Sequence, residues 1–147
     1  MGIIIDDKVI GDNSPAFIVA ELSCNHVGEK KLAIEPIRAA KKCGADAIKL
    51  QTYKPETMTI DSEKSDFIIK GGTIWDGDNL FKLYQKAFTP WEWHEKLFKV
   101  AEENDLICFS TPFDKTSVDF LEKLNNPIYK IASFEITDIP LIKYIAS

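Results

Sequence analysis

Lys49 and Gln51 alternate with Ile48 and Leu50, Lys130 precedes Ile131, and Glu21, Ser110, Thr111 and Ser133 lie within or at the ends of similarly apolar runs. Ammonium groups, hydroxyls and an amide are the donors that a carboxylate or phosphate needs, and the charged ones make the stronger bonds. A lysine within a buried strand is costly unless it meets an anion, which favours anion binding by Lys49 over a stem that merely snorkels to solvent. Lys130 and Ser133 form a second clamp of the same kind. Ser110 and Thr111 stand before Pro112, so for these hydroxyls turn formation competes evenly with anion binding. Glu21 is a carboxylate inside an apolar run, where a catalytic or substrate-orienting role is favoured over a plain ion pair. Glu135, just past Ser133, is a weaker candidate of that type, and Asn25 and His26 follow the first run as candidate substrate contacts.

The elements that must position these residues are four short strands at residues 17–23, 47–52, 106–111 and 127–133. Near-continuous apolar runs of this length are what parallel strands buried on both faces look like, and in such sheets ligands gather at the C-terminal strand ends. Residues 30–43 read as a helix with Leu32, Ala33, Ile37 and Ala40 on one stripe and Gly44 as its stop. Pro36 requires that helix to begin near Leu32, so that the proline falls close to the first turn. A second helix is expected from Thr89 as N-cap, with Pro90 at its first position, Glu92 closing a capping box, and His94, Leu97, Phe98 and Ala101 as its packing stripe. Asp114 and Asp138 are the expected caps of two further helices. The order is βα four times over, an α/β pattern suited to right-handed parallel crossovers. Residues 54–88 form a long insertion after strand two, with a helix at 80–88. A connection of that length is expected to arch over the strand ends and present Trp75 or Asp76 to a ligand.

The 147 residues, 45% hydrophobic, suffice for one packed domain. A net charge of −5 argues against nucleic acid as a partner, because phosphate-backbone affinity needs a basic surface. No apolar run approaches the roughly 20 residues of a membrane span, and no basic-then-apolar leader opens the chain, so no membrane partner and a cytoplasmic location are the default expectations. Cys24, Cys43 and Cys108 lack metal-type spacing and read as reduced thiols. Glu21, His26 and the lysines do not make a metal set with a plausible spacing.

The phrases Phe17-Ile-Val-Ala-Glu-Leu-Ser-Cys-Asn-His26, Gly44-Ala-Asp-Ala-Ile-Lys-Leu-Gln-Thr-Tyr53, Phe109-Ser-Thr-Pro-Phe113 and Tyr129-Lys-Ile-Ala-Ser133 resemble the N-terminal half of the sialic acid synthase family. Thr89-Pro-Trp-Glu-Trp-His94, Leu83-Tyr84 and Trp75-Asp-Gly77 resemble its pseudaminic acid branch more closely. The chain departs from many relatives in reading Asn25-His-Val-Gly28 where they have Asn-His-Asn-Gly, and in carrying Cys24 in place of a small residue.

The resemblance implies the N-terminal half of a TIM (β/α)8 barrel over residues 1–147. The second half-barrel and an antifreeze-like domain are expected to lie outside it. It implies condensation of phosphoenolpyruvate with an open-chain amino sugar to give a nonulosonic acid and phosphate. Lys49, Thr111, Lys130 and Ser133 would hold phosphoenolpyruvate, Gln51 would line the pocket, and Glu21 would contact the sugar. A divalent metal, Mn or Mg, would polarise the acceptor aldehyde through ligands expected outside these residues. The chain alone is therefore expected to be inactive, and to dimerise or assemble further through unpaired strand edges. Two alternatives remain: another phosphoenolpyruvate-dependent sugar-acid synthase, or a non-catalytic phosphate-binding α/β module.

Overall fold

The computed structural model describes residues 2–6 and 8–147. It opens with an antiparallel hairpin, β1 (Ile3–Ile5) and β2 (Lys8–Ile10), which the sequence reading did not anticipate. The signal was present, since three consecutive isoleucines favour a strand. Three parallel strands follow in the order β3 (Val19–Glu21), β4 (Ala47–Thr52) and β5 (Ile107–Pro112). Register pairs Glu21 with Lys49, Lys49 with Phe109 and Gln51 with Thr111.

The expected fourth strand is a correction, because residues 127–133 make only one bridge, Tyr129 to Ser110. The reason lies in Asn126, whose Oδ1 accepts from Ser110 N at 2.8 Å and whose Nδ2 donates to Ile128 O at 2.6 Å. These are backbone groups that a ladder would otherwise use, and Pro127 brings no N–H of its own.

Two helices cover one face of this sheet: α1 (Lys30–Lys42) and, further along the chain, α4 (Trp91–Glu102). Between β4 and α4 run α2 (Pro55–Met58), a 3-10 turn (Ser65–Phe67) and α3 (Leu80–Ala87). The main core joins Leu22, Ile48, Leu50 and Cys108 of the strand layer to Ala33 and Ile37 of α1 and Leu97, Val100 and Ala101 of α4. Because side chains alternate along a strand, Glu21, Lys49, Gln51, Phe109 and Thr111 are turned to the opposite face.

Two helix starts differ from expectation. Pro36 lies well inside α1, which begins at Lys30. The lost backbone bond is outweighed by the burial of Ala33 and Ile37, both 0% exposed. Leu32 is left largely at the surface. Thr89 does not cap α4: Pro90 holds the cap position without a side-chain bond, and the Thr89 hydroxyl is engaged elsewhere. Beyond β5 the expectations match, with Asp114 capping α5 (Lys115–Glu122) and Asp138 capping α6 (Ile139–Ile145).

Candidate active site

Lys49 and Glu21 sit side by side on β4 and β3, and the Lys49 Nζ donates to Glu21 Oε1 at 2.6 Å. The lysine side chain is 10% exposed and the glutamate 47%, so a nearly buried ammonium faces a carboxylate that water still reaches. An ammonium has three donors and this contact uses one, leaving two for a ligand. Thr111 lies on the same face, opposite Gln51, 1% exposed, and its Oγ1 is buried with no hydrogen-bond partner. A buried hydroxyl without a partner is expensive, and an acceptor supplied by a ligand removes that cost.

The fourth segment brings a second group to this end of the sheet. Tyr129 is bridged to Ser110 of β5, and its hydroxyl bonds to Glu122 of α5. Lys130 and Ser133 are exposed. Glu135 is half-buried, and its Oε2 has no partner. Burial raises the Glu135 carboxyl above its ordinary value, while the positive charge of nearby Lys130 works against that shift.

Three candidates have other engagements. Ser110 is fully buried on the helix side of the sheet, its hydroxyl 2.6 Å from that of Thr52, so it does not act with Thr111 on one ligand. His26 is fully buried: Gly28 N donates to its Nδ1 at 3.1 Å, which leaves the proton on Nε2 to donate to Thr89 Oγ1 at 3.2 Å. With both ring nitrogens occupied and burial holding its pKa down, His26 pins the loop after β3 to the start of α4. Asn25 turns back on its own strand, donating from Nδ2 to Leu22 O at 2.9 Å.

Sequence reasoning assigned His94 to packing and missed its partner. His94 Nδ1 donates to Pro90 O at 3.3 Å, so Nε2 accepts from the Thr52 hydroxyl at 2.8 Å, and Thr52 in turn accepts from Ser110. This buried chain ties the ends of β4 and β5 to α4, and burial lowers the His94 pKa to about 4. Polar Thr52 and Ser110 at the buried-face positions of their strands were the signal available in the sequence.

The long connection closes on the strand ends through α3 and not through Trp75 or Asp76. Asp76 accepts from the backbone N–H groups of Gly71, Gly72 and Thr73, with its carboxylate held down to about 2, so its charge belongs to its own turn. Trp75 lies under the Lys86 ammonium, 5.8 Å from the ring centroid. Tyr84 of α3 instead meets Tyr53 just beyond β4. Among the described residues no group of three or more His, Cys, Asp or Glu side chains is placed to hold a metal ion. An open cleft of about 990 Å³ lies at the other end of the sheet, near Asp46, Leu106 and Pro127, away from this chemistry.

A parallel sheet, helices on one face and ligand-type side chains at the C-terminal strand ends define an α/β protein of the partial TIM-barrel class. The chain belongs to the NeuB family, whose model matches residues 36–147. It is 52% identical over 130 residues to a pseudaminic acid synthase of Campylobacter jejuni and 54% identical over 129 residues to one of Helicobacter pylori, covering 88% of this chain in both cases. It spans 38% of the length of each of these relatives. Among solved structures, an N-acetylneuraminic acid (sialic acid) synthetase from Leptospira borgpetersenii superposes with a TM-score of 0.83 at 29% identity, over 99% of this chain and 46% of that one.

Proposed function

We infer that this chain supplies the phosphoenolpyruvate-holding part of a sialic-acid-type synthase, one that joins phosphoenolpyruvate to an open-chain amino sugar. The observation that carries the reading is the nearly buried Lys49 ammonium on the same strand face as the partnerless Thr111 hydroxyl. Both are donors, both are shielded from water, and the charge of Glu21 offsets only part of the field of Lys49. An anion with several acceptor oxygens fits such a site. Lys130 and Ser133 extend it at the solvent side. Relatives named for N,N'-diacetyllegionaminic acid and N-acetylneuraminate 9-phosphate suggest that the acceptor carries an N-acyl group.

In the proposed reaction the methylene carbon of phosphoenolpyruvate attacks the acceptor aldehyde carbon, whose oxygen takes up a proton. Water adds to the adjacent carbon and gives up a proton, and phosphate leaves with its bridging oxygen to yield the keto acid. Lys49 and Thr111 hold the oxyanions throughout, and fixed donors of this kind act without reorganisation as charge moves. Glu21, with one oxygen on Lys49 and its side chain 47% exposed, would exchange a proton with bound water or the acceptor. A divalent metal would supply Lewis-acid polarisation of the aldehyde; the side chains described here do not form its site.

Calorimetric titration with phosphoenolpyruvate tests the reading. Lys49→Met and Thr111→Val should each weaken binding, the lysine by about tenfold or more, since a hydrogen bond to a charged group contributes about 1.5–3 kcal/mol. Unchanged affinity in both variants would remove the assignment.

A further inference from the structure

Tyr53 leaves the end of β4 two residues past Gln51, and its ring meets two others edge-on: Tyr84 of α3 at 5.6 Å between centroids, and Phe113, two residues past Thr111, at 5.4 Å. Tyr53 is 4% exposed, whereas Tyr84 and Phe113 are half-buried, so the cluster has a closed base and an open rim. Trp91 Nε1 donates to Tyr53 O at 3.1 Å and fixes that base from the α4 side. An aromatic wall beside the strand ends has nothing to give a phosphate or a carboxylate, whose oxygens need donors. It suits the C–H groups of a neutral ligand, which pack on ring faces and edges.

We propose that Tyr84 is a specificity-determining residue for the acceptor, its ring, backed by Tyr53, packing on the acyl methyl of an N-acylated sugar. The proposal rests on the condensation reading above and divides that site: Lys49 and Thr111 take the anion, and the α3 rim takes the apolar group of the second substrate.

The test uses the full chain saturated with phosphoenolpyruvate, titrated by NMR with N-acetyl-D-mannosamine and, separately, with D-mannose. Irradiating the aromatic protons should transfer saturation to the acetyl methyl more strongly than to the ring protons of either sugar. Tyr84→Leu should lower affinity for the acetylated sugar by roughly three- to tenfold, the range of an aromatic contact, with D-mannose and phosphoenolpyruvate affinities unchanged. Tyr84→Phe should keep the preference for the acetylated sugar. An unaltered preference in Tyr84→Leu overturns the proposal, as does absence of transfer to the methyl in the unmodified chain, a readout that needs no variant to fold. Failure of the unmodified chain to bind phosphoenolpyruvate is a separate result: it overturns the condensation reading and this proposal with it.

Discussion

The Lys49–Glu21 pair joins partners of unequal burial, and this inequality sets what each contributes. Removing Glu21 leaves a lysine that is 10% exposed without its counter-charge, whereas removing Lys49 leaves a glutamate that is 47% exposed and can be hydrated. Glu21→Gln is therefore expected to destabilise the fold more than Lys49→Met, by about 1–2 kcal/mol after allowing for solvent screening, as read from urea unfolding midpoints. The reverse order would show that the unequal burial of the pair does not set its contribution to stability. His94 gives a pH signature. Its folded pKa of about 4 lies below the ordinary 6.5, so between these values the unfolded chain binds the proton that the folded chain refuses. Stability is thus full above about pH 6.5 and falls as pH drops toward 4, by on the order of 3 kcal/mol from this residue alone, with His26 adding in the same direction. Unfolding measured at several pH values should show this slope, and His94→Gln, which can still accept from Thr52, should flatten it.

At the scale of elements, the loop after β3 carries local backbone strain, with Ser23 and Val27 both in the left-handed region. Val27 is held at φ 47°, a left-handed conformation that is unfavourable for a β-branched residue, beside Gly28 at φ 76°. The residue is 76% exposed, so nothing in its packing compensates. Val27→Asn should raise stability by about 1 kcal/mol, because asparagine tolerates that region; no gain in unfolding free energy would show that the loop is strained for another reason. Asn126 replaces a strand ladder with its own amide. Asn126→Ala would strand the buried Ser110 N–H and should cost about 1–3 kcal/mol, with faster hydrogen exchange at Ser110 than at the amides of β4.

For the molecule as a whole, the free edge of the sheet matters most. Among the described residues β3 pairs only with β4, and Ile18 and Val19 beside that edge are 51% and 40% exposed. Ile3, Ile4 and Val9 of the hairpin add further exposed apolar surface. Unpaired edges flanked by apolar side chains promote association, so this chain is expected to form dimers or larger species whose population rises with concentration. Sedimentation velocity over a concentration series should show it, and Ile18→Lys should shift the distribution toward monomer. A single monomeric boundary throughout would remove the expectation.

The sequence by itself determined the parallel α/β order, the span of β4, the caps at Asp114 and Asp138, and the shared face of Lys49 and Gln51. Each follows from local chemistry: alternation along a strand, a carboxylate accepting from the first amides of a helix, and left-handed Gly44 ending α1. The family motifs were legible for the same reason, since they lie in contiguous runs at the strand ends. Tertiary structure alone decided which polar residues engage each other. Glu21 meets Lys49 across 28 positions, His26 meets Thr89 across 63, and Thr52 joins Ser110 across 58. No local pattern encodes such pairings, because they depend on how strands register and how α4 is laid on the sheet. The same holds for the fourth strand, lost to the Asn126 amide, and for the long connection, where Asp76 closes its own turn and Tyr84 reaches the strand ends.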